Sequence, residues 1–392
     1  MFSIKQQFIS SAGKLAKSIF RRIQVDLRKQ YFLDDFLVVE SDHIPSVKPS
    51  IVDDIFDFYN KVKPFYDENI RPELKIDGAW KTIFELNRKN QLRFIETQDK
   101  SSYAGLLTNM LRNEMVSAQW SVAYYDKKLL NNKAPIQCAK NLDDFKYLTR
   151  NNSNVSHNID KLDDGPFGGK WGINVDGFIL NFLDSYKGVN AFNSAQIINF
   201  MCDEDRATYI DLGSGIGSDA IKVEKFTDFP LRSILIDVPM NLTTAYAYVS
   251  MNSGKRCVLI SNIDEFIEIL EADFDESEFL FVPTILVEQI GKLGLSIDLL
   301  YNHGSFSEMD FDTIKFYLDN FLNGTVKALF DINSNTSDIL SGGHLEVESS
   351  SFPIPPAYKL LKRNFSINNY FNHRYIESLY IYKHEERLKF DY

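Results

Sequence analysis

The sequence predicts an α/β chain: a doubly wound, mainly parallel sheet over residues 178–392, behind a helical accessory region. Two observations predict it. In the second half, short apolar runs alternate with helical stretches, which implies right-handed βαβ units and a sheet covered on both faces. The first of those runs ends in a glycine-rich corner, Gly213-Ser214-Gly215-Ile216-Gly217, directly before a helical pattern.

In chain order, residues 1–45 form a basic segment. MFSIKQQFISSAGKLAKSIFRRIQV holds five Lys or Arg and no acid, and Phe8, Leu15, Ile19 and Ile23 recur at helical spacing. It reads as an amphipathic helix that either touches a membrane surface or docks on its own protein or a partner subunit. Residues 46–150 are a helical accessory region, with apolar residues at spacings of three and four in IVDDIFDFYNKVKPFY and in SSYAGLLTNMLRNEMVSAQWSVAYY. Residues 151–177, with five glycines, read as a loop, and Phe167 and Trp171 make it either a substrate-covering lid or a linker. FILNFLDSYKGVNAFNSAQIINFM follows as one or two helices. Strands are then expected at ATYIDLG, RSILIDV, CVLIS, FLFV, SIDLLYN and VKALFDI, and HRYIESLYIYK suits an antiparallel edge strand.

Composition narrows the function. The 392 residues carry 43 basic and 54 acidic side chains, a net charge of −11, and nucleic-acid binding leaves the opposite footprint. The 31 Phe and 19 Tyr exclude disorder for most of the chain. No apolar run reaches the ~18 residues that span a bilayer. Cys138, Cys202 and Cys257 lack CxxC spacing and are expected as reduced, buried thiols of a cytoplasmic protein. The basic start lacks the continuous apolar core of a secretory signal.

Ligands of open α/β sheets sit beyond the carboxyl ends of the strands, near the switch in strand order. The first strand ends Tyr209-Ile210-Asp211-Leu212, and Gly213, Ser214, Gly215 and Gly217 then let a ligand approach bare backbone ahead of a helix N-terminus. A dinucleotide fingerprint asks for a small residue at 218, and Ser218 is one, so a nicotinamide-dependent oxidoreductase stays open. Asp211 favours another ligand. An acid beside the first glycine is poor for a pyrophosphate and suits an amino group, such as that of S-adenosylmethionine. The second strand ends at Asp237, 26 residues on, ahead of Pro239. Asp237 reads as the acceptor of both ribose hydroxyls or as a helix N-cap.

Asp211-Leu212-Gly213-Ser214-Gly215-Ile216-Gly217 resembles motif I of class I S-adenosylmethionine-dependent methyltransferases, whose sheet is Rossmann-like. Asp298-Leu299, Asn302, Ser305, Glu308 and Met309, with Ile236-Asp237-Val238-Pro239, resemble the bacterial sugar O-methyltransferase family over roughly residues 165–385. The resemblance implies methyl transfer to a sugar hydroxyl or glycan acceptor, in surface-polysaccharide or glycoside biosynthesis, in the cytoplasm or peripheral to the inner membrane. The extra CVLIS unit obscures which strand is third, and leaves Ser261 and Thr284 both open for adenine contact. A methyltransferase-like scaffold without catalysis is the remaining alternative.

Methyl transfer is an in-line displacement, so alignment is the main task, and a positioned base removes the acceptor's proton. His303 stands at the end of the fourth strand and accepts protons near neutrality. Glu308 is the other candidate base, or a sugar ligand, or an acid that favours the helix dipole. Asn302 is expected to orient substrate or cofactor. Asp310 and Asp312 lie nearby for a divalent ion, but their spacing names no metal site. His43, His157, His344, His373 and His384 have no neighbours that suggest chemistry.

Overall fold

The computed structural model describes residues 38–40, 42–74, 81, 88–113, 134–150, 159–181, 183–337, 345–366 and 375–383. The basic helix expected over residues 1–25, and with it the membrane reading, lies outside them. Among the described residues no helix is long and apolar enough to cross a membrane.

An eight-stranded sheet organises the second half. Its strands are β4 (Ala207–Leu212), β5 (Leu231–Asp237), β6 (Arg256–Leu259), β7 (Glu278–Pro283), β8 (Ile297–His303), β9 (Val326–Ser334), β10 (Tyr358–Phe365) and β11 (Tyr375–Tyr382). Across the sheet they run β6-β7-β5-β4-β8-β9-β11-β10. All are parallel except β11, which is antiparallel to both neighbours. The chain lays β5, β6 and β7 to one side of β4, then crosses to place β8 on the other. That reversal opens a crevice at the carboxyl ends of β4 and β8.

Period-two patterning explains the layers. Tyr209, Leu235, Phe279, Phe281 and Tyr301 bury on one face with helices α5 (Asp184–Met201), α6 (Ser218–Phe226) and α7 (Pro239–Asn252). Ile210, Leu212, Ile234, Leu280, Val282 and Leu300 bury on the other with α8 (Ile263–Glu271), α9 (Val287–Gly291) and α10 (Phe311–Phe321). Every residue of β5 is buried, as a central parallel strand requires.

Two details differ from the sequence reading, and a third settles what it left open. The 375–382 strand is not at the edge: β10, whose burial pattern is mostly exposed and gave no apolar run, forms the edge beside it. The extra unit at 256–259, whose place in the strand order the sequence left open, is the far edge strand, and β7 borders β5. Residues 171–180 form no loop or helix but β2 (Trp171–Val175) and β3 (Phe178–Leu180), which join β1 (Val38–Glu40) in a small antiparallel sheet. The turn between β2 and β3 hides a strand signal beneath the Asn and Gly composition, because Asp176 and Gly177 both take positive φ there. Of the cysteines, Cys138 is buried, whereas Cys202 and Cys257 are half-buried; all three are free.

The accessory helices α1 (Pro49–Asn69), α2 (Lys89–Glu96), α3 (Lys100–Thr108) and α4 (Ala134–Thr149) pack on the sheet's helical layer. Gln91 and Tyr103 anchor the contact. Gln91 Nε2 donates to Thr244 Oγ1 (2.9 Å), and Tyr103 Oη meets Thr243 Oγ1 at 2.7 Å, both at the start of α7. The accessory region is thereby pinned to the helix that follows β5.

Candidate active site

The glycine corner has the shape its sequence requires. Gly213, Gly215 and Gly217 adopt φ of 70°, 58° and 76°. A Cβ on Gly213 would stand 2.3 Å from Ser305 Oγ, whereas one on Gly215 would meet nothing within 4 Å. The first glycine is needed for packing, and the second faces open space. Gly217 caps α6 without a side-chain bond, leaving first-turn amides to a ligand.

Asp211 is 3% exposed, and its Oδ2 has no hydrogen-bond partner. Burial raises its pKa well above the ordinary carboxylate value, and Asp219 and Asp237 add to the rise against Lys187. A buried, unpartnered carboxylate oxygen costs stability, so a cationic ligand there gains what the empty chain lacks. Ser214 Oγ, two residues beyond Leu212, is likewise buried and unpartnered. These groups fit the amino end of S-adenosylmethionine.

Asp237 is not the N-cap of α7: Val238 holds that position, without a side-chain cap bond, and the Asp237 carboxylate turns to its neighbours instead. Its Oδ2 accepts from Gly215 N (2.9 Å), and its Oδ1 from Val238 N (2.7 Å) and Asn241 Nδ2 (2.8 Å). Burial raises its pKa, with those three bonds opposing. Carboxylate oxygens accept about two bonds each, so one position on Oδ2 remains. Arg88 of the accessory region bonds Asn241 Oδ1 from behind. Because Asp237 pairs with Pro283 across β5 and β7, buried Thr284 stands beyond that pair. Ser261, past the edge strand, gives its backbone N–H to Glu265 Oε2 at 2.7 Å.

His303 lies at the mouth of the crevice. Its Nδ1 meets Asp219 Oδ2 at 3.0 Å and its Nε2 meets Tyr186 Oη at 2.7 Å. Lys187 Nζ stands 3.3 Å from Asp219 Oδ1. Burial alone would raise the Asp219 carboxyl; Lys187 and His303 outweigh it and hold it below the usual range. Glu377 of β11, buried and bonded by Ser366 Oγ (3.0 Å), lies across β9 from His303, both pairing with Ile332, and burial raises its pKa against the Ser366 bond, Lys362 and His303.

Asn302 is committed to the frame. Its Nδ2 donates to Leu212 O (2.7 Å) and to Ser305 Oγ, and its Oδ1 accepts from Phe306 N (3.1 Å) and Asn333 Nδ2 (2.7 Å). Both donors and both acceptor positions are filled, so Asn302 holds the glycine corner and has nothing left for a ligand. Glu308 ends a short 3-10 turn, half-buried, with its backbone N–H on Ser305 O (3.1 Å). Among the described residues no group of three or more His, Cys, Asp or Glu is placed to hold a metal ion. His43 is exposed, and the other four histidines named above lie outside the described residues.

No protein-family profile matches the chain, and no curated protein matches it significantly. Its fold resembles solved structures of methyltransferases. One is the mitomycin 7-O-methyltransferase MmcR, at 12% identity, covering 95% of this chain and 99% of that one, TM-score 0.34. A second is the N-methyltransferase NodS from Bradyrhizobium japonicum, at 11% identity over 51% and 98%, TM-score 0.34. A third is M. capricolum TrmK in complex with the cofactor product S-adenosyl-homocysteine, at 14% identity over 49% and 68%, TM-score 0.29. Likenesses of this size say nothing about chemistry, and the site is read from its own geometry.

Sequence reading missed two groups of residues. Tyr186, Lys187 and Asp219 come from α5 and α6 and meet His303 only through the packing of those helices. Asp164, from the segment expected as a lid or linker, is buried against Lys222 (2.6 Å), Ser218 Oγ (2.6 Å) and Tyr248 Oη (3.0 Å). Asp184 joins at 3.1 Å from Lys222. That network ties residues 163–184 to the helix carrying the glycine corner, and Phe167 beside it is fully buried. A lysine inside an apolar helical stretch, Lys222 in AIKVEKF, was the one available signal.

Proposed function

We propose that the chain is an S-adenosylmethionine-dependent O-methyltransferase that methylates a sugar hydroxyl, free or glycan-linked, in surface-polysaccharide or glycoside biosynthesis in the cytoplasm. The observation that carries the reading is the unpartnered oxygen of buried Asp211, two residues ahead of a glycine corner whose middle glycine faces open space. When bound, the cofactor supplies a sulfonium methyl group that is already activated for displacement. Asp211 takes its ammonium, Ser214 and the first amides of α6 its carboxylate end, the free position on Asp237 a ribose hydroxyl, and Thr284 the adenine side. Asn302 and Ser305 hold the corner still by bonding Leu212 O. His303 stands one residue past the β8 partner of Leu212, within reach of the same end of the ligand, and receives the acceptor's proton. Glu308 is read as a ligand of the sugar. The motif I resemblance supports the cofactor, and the Asn302-to-Met309 resemblance supports the sugar.

Calorimetric titration with S-adenosylmethionine and S-adenosylhomocysteine tests the cofactor, with NADH as control. Micromolar binding of the first two and none of NADH is expected; binding of NADH alone overturns the reading. A transfer assay with labelled methyl donor against free, nucleotide-linked and lipid-linked sugars tests the acceptor, and label found only on protein or nucleic acid overturns the sugar.

A further inference from the structure

His303 has no ring nitrogen free. Asp219 occupies Nδ1 and Tyr186 occupies Nε2, and the tyrosine and histidine rings pack edge to face with centroids 5.2 Å apart. The direction of each hydrogen bond follows from charge. Asp219, with the Lys187 ammonium beside it, is an ionised carboxylate and only accepts. The hydrogen therefore sits on His303 Nδ1. A neutral ring protonated there has a bare Nε2, which also only accepts. The Tyr186 hydroxyl is left as the donor; the buried Asn190 amide stands beside its oxygen, and one lone pair remains for a third group. Tyr186 is buried at 9% exposure, and the His303 side chain is 15% exposed beside half-buried Gly304, so the pair lies just beneath the surface.

We propose that the acceptor hydroxyl meets Tyr186 rather than His303, and that Tyr186 relays the acceptor's proton to His303 Nε2. The proposal rests on the methyltransferase reading and names its proton route. As the acceptor oxygen forms its bond to the methyl carbon and the carbon–sulfur bond breaks, the acceptor O–H proton passes to Tyr186 Oη. The proton Tyr186 already points at Nε2 transfers to that nitrogen at the same time. Tyrosine ends neutral, histidine ends as imidazolium, and the electron pair of the broken bond stays on sulfur. Burial raises the Tyr186 pKa steeply, so the residue passes a proton without resting as tyrosinate. The imidazolium forms against the Asp219 carboxylate, whose Lys187 partner fixes its orientation. Asp219 and Lys187 are positioning residues. No ring has to turn, whereas direct use of His303 first breaks the 2.7 Å bond to Tyr186.

The test uses the full chain labelled with 15N at histidine, with His303→Gln to assign the resonances. Long-range nitrogen–proton spectra of the wild type are expected to show the Nδ1–H tautomer with Nε2 hydrogen-bonded. Tyr186→Phe removes a single hydroxyl; it should keep that tautomer and move Nε2 to the position of an unbonded ring nitrogen. S-adenosylhomocysteine affinity should stay within about twofold, since Tyr186 is not a cofactor ligand here. With labelled donor and a pool of free monosaccharides and nucleotide sugars, kcat should fall ~10²–10⁴-fold in the same variant. An unmoved Nε2 or undiminished turnover, with cofactor-product binding intact, overturns the relay alone. A wild type that does not bind the cofactor product removes the methyltransferase reading, and the relay with it.

Discussion

Asp211→Asn should do two opposite things. The wild-type carboxylate is buried with an unpartnered oxygen, and its pKa is raised well above its ordinary 3.8, first by burial. The sign follows from linkage: an acid raised on folding favours its neutral form in the native state, so the native chain loses stability as pH climbs above the ordinary value. Asparagine is neutral at every pH and escapes that cost of ionisation. The ligand-free variant should therefore melt a few degrees higher at neutral pH. Its affinity for S-adenosylhomocysteine should drop, because a hydrogen bond to a charged group is worth about 1.5–3 kcal/mol, or roughly 10- to 150-fold. In the wild type, the ligand's ammonium forces Asp211 to ionise, so binding releases protons and tightens as pH rises. Calorimetry in buffers of different ionisation enthalpy measures that release, and differential scanning fluorimetry measures the melting shift. A variant that binds like wild type, or that loses stability without losing affinity, would make Asp211 a structural residue and refute the argument.

Three further substitutions probe the frame. Gly213→Ala puts a methyl 2.3 Å from Ser305 Oγ at a φ of 70°, so about 2–5 kcal/mol of strain and overpacking should appear as a lower urea midpoint; an unchanged midpoint contradicts the packing. Lys222→Met leaves the buried Asp164 and Asp184 carboxylates short of their cation, a loss of about 3–5 kcal/mol. Burial would raise Asp164, but Lys222 and Lys170 hold it below its ordinary value, so this stability is present at neutral pH and fades as acid protonates the carboxylate. Melting curves of the variant should lack that acid-side decline. Asp331, pushed up to about 7 by burial against bonds from Ser349 and Asn333, should make the wild type less stable as pH rises from about 4 to about 7. Asp331→Asn should flatten that part of the Tm profile; a slope equal to wild type rules the group out as its source.

Local signals carried much of this protein. The alternation of apolar runs with helical stretches depends on neighbours a few residues apart, and it located β4, β5, β7, β8 and β9. The glycine corner was legible for the same reason: positive φ and close approach to Ser305 leave glycine as the residue that fits, and Asp211 stands two positions ahead of it in sequence. Long-range packing left no such trace. Lys359, Lys362, Arg363 and Asn364 broke up the apolar pattern and hid β10, because an edge strand needs a partner more than an apolar face. Which of β6 and β7 lies against β5 depends on the route of a crossover, so Thr284 and Ser261 were indistinguishable until the strands were ordered. The surroundings of His303 come from α5, α6 and β11, separated from it by 117, 84 and 74 positions at Tyr186, Asp219 and Glu377. A sequence records which side chains a chain owns, but a proton path is a set of distances, and those exist only once the helices have packed on the sheet.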